Sequence, residues 1–233
     1  MLDGSPMVIR ELLMEAPSLT AQRAFYAGGL GLPVVEDAPE QVVFRVGETR
    51  MGFRRAAPGT SPTYHFAFHV PANRFREAKA WLGGQAELLR FEGDDEFDFD
   101  SWSASAAYAL DLAGNIVEVI AHRALPTATA EPFAAAWLLG VAEVGLPVAD
   151  VPAAVAVLEE QFGIGLWDRA EITPGGITPV GEQGATFIVV PLGRPWFPVA
   201  VESSDFPLEV VIGGVHEGKL ELAPHPYRIR GAG

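Results

Sequence analysis

The chain has 233 residues, of which 49% are hydrophobic and 20% charged, as is typical of a globular protein with a buried core. Its formal net charge of −14 disfavours nucleic acid and anionic membranes as partners, because both need clustered lysine and arginine. The absence of cysteine excludes disulfides and thiolate ligands, and it leaves His, Asp and Glu as the strong candidate metal ligands. Residues 1–6 contain no run typical of a secretory signal, and no segment is long and apolar enough to span a bilayer, so we expect a cytoplasmic protein.

The first part of the chain predicts one strand, one helix and three strands. The strand covers residues 8–15, where Glu11, Leu13 and Glu15 share one face. A helix follows from Pro17 and ends at Gly28-Gly29. Short strands are predicted at 34–35, 42–46 and 51–54, separated by turn residues.

The same order then begins again with a strand at residues 63–70, in which two kinds of side chain alternate along the chain. His65, Ala67 and His69 fall on one face of this strand, and Phe66, Phe68 and Val70 fall on the other. A helix at 73–82 and strands at 103–110 and 116–121 complete the second unit. Residues 92–100, between the helix and the strand at 103–110, include six acidic side chains. They indicate a solvated loop; a calcium site is the alternative, although the spacing does not match an EF-hand loop.

A segment poor in helix formers, residues 125–137, is predicted to be a linker between an N-terminal domain (1–124) and a C-terminal domain (138–233). The second part predicts a strand at 141–148, a helix at 151–162 and strands at 177–180 and 186–190. Further strands are predicted at 208–212 and 219–222, before a tail interrupted by prolines. We therefore expect two units in the first domain, and one unit with a truncated partner in the second.

An internal repeat supports this division. Glu11 and Glu143 are 132 residues apart (143 − 11), and so are Gly31 and Gly163 (163 − 31). A weaker copy relates Glu11 to His65. The pattern predicts an α+β fold of tandem βαβββ units, present three times with a degraded fourth.

Several motifs resemble those of the vicinal oxygen chelate superfamily, which includes glyoxalase I, extradiol dioxygenases and bleomycin-resistance proteins. They are Ala24-Phe25-Tyr26 with Leu30-Gly31-Leu32, the strand 65–70, and the sequence YALDLAGNIVE at 108–118. The chain is most similar to two-domain members that are ring-cleavage-dioxygenase-like. The resemblance implies open barrels of paired units that hold a divalent ion, and a small substrate whose adjacent oxygens chelate that ion.

Carried over position by position, the resemblance implies metal ligands at Glu11, His65 and Glu118. The family most often has His where this chain has Glu11. Strand alternation places all three side chains on inward faces, where buried charge needs compensation. One imidazole with two carboxylates differs from the two-His, one-carboxylate set of non-haem iron enzymes, so Zn, Mn, Ni or Mg is favoured over Fe. The alternative is that Glu11 pairs with an arginine or lines a polar pocket without metal.

The C-terminal domain offers Glu143 at the equivalent place. No His or carboxylate of the fourth unit is found in register with it, and no metal is expected there.

Other side chains on the inward faces are candidates for further roles. His69 and Glu15 are predicted to move protons, although His69 is equally compatible with a structural role. Trp102 and Tyr108 are predicted to contact substrate, with packing in the core as the alternative. The function expected is that of a metal-dependent lyase, isomerase or dioxygenase-like enzyme acting on a small molecule.

The alternative is a metal-free protein that binds or sequesters a small molecule. A third hypothesis assigns the second half a role as scaffold or dimerisation module, compatible with a homodimer.

Overall fold

The computed structural model describes residues 5–167 and 170–233, so residues 1–4 of the N-terminus discussed above lie outside it. The described chain forms two seven-stranded mixed sheets with helices packed against them. No described helix has both the length and the apolarity needed to cross a membrane. The strands are β1 (Val8–Ala16), β2 (Val34–Ala38), β3 (Gln41–Val46), β4 (Thr49–Arg55), β5 (His65–His69), β6 (Phe97–Phe99), β7 (Ala104–Leu110), β8 (Ile116–His122), β9 (Gly140–Val148), β10 (Thr178–Glu182), β11 (Ala185–Pro191), β12 (Leu208–Gly213), β13 (Gly218–Glu221) and β14 (Tyr227–Gly231). The helices are α1 (Leu19–Gln22), which continues as a π-helical segment (Arg23–Gly29), α2 (Phe75–Gly83) and α3 (Val151–Phe162).

Helix α3 shows how the local sequence determines an element. The side chain of Asp150 accepts a hydrogen bond from the Ala153 amide and caps the first turn, where Pro152 lacks a donor that would be unpaired anyway. The helix ends at Gly163, whose φ of +73° is a conformation that glycine adopts without strain. The apolar residues at helical spacing are buried, as predicted: Val151, Ala154, Val155, Leu158 and Phe162.

Both sheets combine strands from the two sides of the predicted linker. The order is β13-β14-β12-β1-β4-β3-β2 in the first sheet and β10-β11-β9-β5-β8-β7-β6 in the second. The first unit therefore shares a sheet with the fourth unit, and the second unit shares a sheet with the third. The two units grouped together at 1–124 do not pair with each other.

The repeat is visible in the backbone as well as in the sequence. In β1, Arg10 is an extra residue opposite β12, because Ile9 pairs with Ile212 and Glu11 with Val211. In β9, Ala142 is the extra residue opposite β5, because Val141 pairs with Phe68 and Glu143 with Ala67. The two β-bulges are again 132 residues apart (142 − 10). The α+β fold of repeated βαβββ units is confirmed, and the fourth unit retains β12, β13 and β14.

The alternation predicted for β5 is confirmed by the packing on its two faces. Phe66, Phe68 and Val70 belong to the large hydrophobic core beneath the helices. Ala67 belongs to a second apolar cluster on the opposite face of the same sheet. This second face carries the candidate site.

Two strands fall where the sequence predicted none. Strand β6 lies inside the acidic stretch, and β14 lies in the proline-containing tail. Four of the six acidic side chains in this stretch contact a neighbouring cation; Asp95, for example, contacts Lys79 at 2.6 Å, and Asp98 contacts Arg123 at 2.6 Å. Within the described ranges, these carboxylates form no group that could hold a metal, which favours the solvated-loop interpretation over a calcium site.

Candidate metal centre

Three buried side chains converge on the second face of the second sheet. His65 of β5, Glu118 of β8 and Glu143 of β9 each offer a ligand atom, and these atoms lie within 4.8 Å of one another. The register explains the convergence, because Ala67 of the central strand pairs with Glu118 on one side and with Glu143 on the other. His65 is the next residue of β5 on that face. The bulge at Ala142 changes the alternation of β9 and turns Glu143 towards the others.

Burial strongly perturbs all three groups. Nε2 of His65 lies 3.0 Å from Oε2 of Glu118. Burial lowers the pKa of His65 to about 4; the charge of Glu143 opposes this fall, and the charge of Arg194 adds to it. Burial raises the pKa of Glu118 to about 8, although a hydrogen bond with Tyr108 opposes the rise. The pKa of Glu143 is raised well above its ordinary value by burial and then by the charge of Glu118.

The cluster has hydrogen-bonding capacity that the described protein atoms do not use. Nδ1 of His65 and Oε1 of Glu143 are both buried without a partner. Two carboxylates in so dry a place cannot both ionise unless a cation lies between them. Imidazole nitrogen and carboxylate oxygen are donors that suit divalent ions. The residues His65, Glu118 and Glu143 therefore fit a divalent ion in both charge and donor type.

Glu11 is not part of this cluster. It lies in the first sheet, its side chain is 47% exposed, and it contacts Arg50 at 3.6 Å. It lines a separate cavity of about 230 Å³ together with other charged residues, among them Glu209 and Arg54. The prediction assumed that the first two units form one barrel; because they lie in different sheets, the position beside His65 and Glu118 is filled from the third unit. Glu11 instead matches the alternative given for it, in which its carboxylate pairs with an arginine.

The fourth unit also departs from the expectation stated for it. Val211 of β12 pairs with Glu11, as Ala67 of β5 pairs with Glu143. Glu209 lies two residues before Val211, as His65 lies two residues before Ala67, and it pairs with Leu13. The fourth unit thus does carry a carboxylate in register, and Glu209 shares the cavity of Glu11. Its charge is met by Arg54 and by Arg228, which is 3.0 Å away.

The predicted proton carriers both lie away from the cluster. Glu15 belongs to β1 in the first sheet, and its amide donates to the hydroxyl of Tyr64 at 3.1 Å. His69 is four residues beyond His65, about 13 Å along an extended strand. Its ring packs edge-on against His122 with centroids 5.3 Å apart, and it is not among the residues that line the site cavity.

The predicted substrate contacts, Trp102 and Tyr108, do line the cavity that contains the cluster. This cavity has a volume of about 470 Å³, which is suitable for a small organic molecule. Its wall is mainly aromatic and apolar, and includes Phe99, Trp167, Ile188 and Phe197.

Trp196 forms the part of the wall nearest to the cluster. Its ring stacks on His65 with centroids 4.9 Å apart and an angle of 26° between the planes. Gly145 makes this position available, because a Cβ atom there would lie 2.7 Å from the Trp196 ring. The ring of Trp196 therefore restricts the orientation of the His65 imidazole.

Sequence reasoning missed Glu143 as a candidate ligand, and it missed Arg194 and Trp196 as cavity residues. The signal for Glu143 was present, because it is the copy of Glu11 at an offset of 132 residues. For Arg194 and Trp196 there was no such signal, since both lie in an irregular segment after β11.

No protein-family profile and no curated protein matches the chain. Solved structures do match it. The fold is that of the vicinal oxygen chelate superfamily. Glyoxalase I from Zea mays is similar over 97% of this chain and 92% of its own, with a TM-score of 0.57 and 14% identity. A Bacillus subtilis protein assigned as a dioxygenase is similar over 89% of this chain and 70% of its own, with a TM-score of 0.57 and 15% identity.

Proposed function

We propose that the protein is a divalent-metal-dependent enzyme of the glyoxalase and dioxygenase type, acting on a small substrate with two adjacent oxygens. The observation that carries the proposal is the convergence of His65, Glu118 and Glu143 at the floor of an aromatic cavity. A bound divalent ion would supply Lewis-acid polarisation of the two substrate oxygens. The donor set favours Zn, Mn, Ni or Mg, because it has one imidazole and two carboxylates.

The protein's own residues would hold and shield the reacting group. His65 is fixed by the stacked ring of Trp196 and by its contact with Glu118, so its orientation is set before a ligand arrives. Trp196 and Phe197 line the cavity and would shield a bound substrate from water on their side. Since Glu15 and His69 do not line the cavity, proton transfer in this proposal falls to one of the titratable groups that do line it.

The deciding experiment uses the repeat as its own control. Protein purified without a histidine tag or chelators is dialysed against Zn²⁺, Mn²⁺, Ni²⁺ and Mg²⁺ in turn, and bound metal is measured by mass spectrometry. We expect about one ion per chain in the wild type and in Glu11→Gln, and loss of that ion in Glu143→Gln. Both variants remove one carboxylate charge at equivalent positions of the repeat, so a general effect of charge would move both.

Two results would count against the proposal. The first is a wild-type protein that retains none of the four ions. The second is Glu143→Gln retaining metal as well as Glu11→Gln. The second result would mean that metal binds somewhere other than this cluster. The first result would favour the alternative function, a metal-free protein that binds a small molecule in the aromatic cavity, and ligand stabilisation that persists in EDTA would support it.

A further inference from the structure

Arg194 is the one cationic side chain among the described residues that line the site cavity. Its Nε donates to the Gly175 carbonyl at 3.1 Å, and its Nη1 donates to the Pro195 carbonyl at 2.9 Å. These bonds fix the guanidinium to the irregular segments on either side of the cavity. A guanidinium has five N–H donors, and these two bonds leave three of them unused.

No acidic side chain in the described part of the chain pairs with Arg194, although most other arginines of the protein have such a partner. Arg23, Arg54, Arg55 and Arg123 each contact an aspartate or glutamate within 3.0 Å or less. The sequence has 30 acidic and 16 basic residues, so an arginine that lines a cavity without an acidic partner among the described residues is available to an anionic ligand. Arg194 is half-buried, and its guanidinium is available to form charge-assisted hydrogen bonds with an anionic partner.

The remaining walls define what kind of anion could reach Arg194. Trp102, Trp167 and Phe197 present flat aromatic surfaces to the same cavity. Trp102 and Trp167 meet edge to face with ring centroids 5.2 Å apart. Aromatic walls favour a flat apolar body between them, and they offer an anion no other donor of comparable strength.

We propose that Arg194 is an anion-binding subsite that recognises a carboxylate on the substrate, so that the substrate is a small flat organic acid. This inference rests on the proposed function, in which two adjacent oxygens of the same substrate would face His65, Glu118 and Glu143. The acid group selects the orientation of the substrate in the cavity. The overall charge of −14 makes a local cation necessary for such a ligand, because the protein as a whole repels anions.

The test compares two probes that differ only in charge: 3,4-dihydroxybenzoate and its neutral carboxamide, 3,4-dihydroxybenzamide. Dissociation constants are measured by titration calorimetry in EDTA and again after Zn²⁺ loading. We expect the acid to bind about 10-fold more tightly than the amide in the wild type, in both conditions. In Arg194→Gln the two probes should bind alike, whereas Arg194→Lys should keep part of the preference because it keeps the charge.

The matched control is Arg76→Gln, which removes the same positive charge at a distance from the site. Arg76 is 87% exposed and does not line the cavity. It should retain the full preference for the acid. A saturated probe, 3,4-dihydroxycyclohexanecarboxylate, should bind more weakly than the aromatic acid; equal binding would refute the requirement for a flat body.

The outcomes separate this inference from the proposed function. Equal binding of acid and amide to the wild type, or a preference that survives Arg194→Gln, overturns the anion subsite even if Zn²⁺ strengthens both probes. If the acid is preferred in EDTA but Zn²⁺ does not tighten the binding of either probe, the result supports the anion subsite. The same result counts against chelation of the probe at the metal centre. Unfolding of Arg194→Gln is monitored by thermal denaturation, and the Arg194→Lys result decides the question if the Gln variant is unstable.

Discussion

Replacing Glu118 by glutamine should make the metal-free protein more stable at neutral pH while removing its capacity to hold metal. Burial raises the pKa of Glu118 from 4.5 to about 8. A group with a raised pKa in the folded state contributes stability that is complete below pH 4.5 and is lost as the pH rises towards 8. At about 1.4 kcal/mol per pH unit, the metal-free wild type should lose about 3 kcal/mol by pH 7 through this one group. Glutamine keeps the shape of the side chain and does not ionise.

The assay is urea unfolding of wild type and Glu118→Gln in EDTA at pH 5 and pH 7, followed by circular dichroism. The variant should exceed the wild type by about 3 kcal/mol at pH 7 and by less than about 1 kcal/mol at pH 5, where the wild-type carboxyl is protonated. Adding Zn²⁺ should stabilise the wild type, by about 2.7 kcal/mol at 100 times the dissociation constant, and should leave the variant unchanged. A difference between the two proteins that is equal at both pH values would refute the electrostatic account.

Three further predictions concern other parts of the structure. Gly145→Ala should displace Trp196 from the site, since the added methyl would lie 2.7 Å from its ring, and near-ultraviolet circular dichroism should register the change. Asp111→Ala should cost about 3 kcal/mol or more of unfolding free energy in urea titrations, because it removes a buried carboxylate that accepts several hydrogen bonds. Burial lowers the pKa of His69 to about 4 and that of His122 to about 3, so stability present above pH 6.5 should fall as the pH drops, by about 4 kcal/mol at pH 5 for the pair.

Each of these has a control. Gly165→Ala should leave the near-ultraviolet spectrum unchanged, because the nearest atom to a Cβ there is 3.9 Å away. Tyr26→Phe should cost less than Asp111→Ala, because Asp111 keeps its other donors and only one bond of 2.8 Å is lost. A double variant with asparagine in place of His69 and His122 should lose about 4 kcal/mol less than the wild type between pH 7 and pH 5; an unchanged drop would contradict the assignment.

The motif at 108–118 shows what sequence reasoning could and could not explain. It indicated the family fold, and it contains the ligand candidate Glu118. In the structure, Asp111 accepts hydrogen bonds from the side chains of Gln22 and Tyr26 in the first unit, both at 2.8 Å. Asn115 in turn accepts from the Tyr64 amide at 2.9 Å. Much of the motif is therefore a buried polar connection between two units, which a linear pattern does not reveal.

Elements with strong periodicity were predicted well, and elements dominated by charge were not. Helix α3 and strand β5 have clear apolar faces, so local pattern was sufficient. Strand β14 has Arg228 and Arg230 between its buried residues and follows several prolines, and β6 is only three residues long within an acidic stretch. Both strands form because a neighbouring strand offers hydrogen bonds, and that is a tertiary effect.

The site was only partly predictable for a similar reason. The alternation in β5 and β8 correctly placed His65 and Glu118 on one face. The identity of the third group depends on which unit completes the sheet, and this is decided by the antiparallel pairing of β5 with β9. Local sequence says nothing about that choice, since Glu11 and Glu143 occupy equivalent positions in their own units.

The duplicated architecture has a consequence for protein engineering. The pairing of β12 with β14 places Val211 beside Arg230, as the pairing of β5 with β8 places Ala67 beside Glu118. Arg230 and Glu209 are thus the counterparts of Glu118 and His65 in the other sheet, and Glu11 already provides the counterpart of Glu143.

The first sheet is consequently a ready scaffold for a designed second centre. Glu209→His and Arg230→Glu would copy the donor set, and Arg50→Thr would copy Thr186, the residue that pairs with Glu143 in β11. These three substitutions would give the cavity beside Glu11 the same donor set as the candidate metal centre.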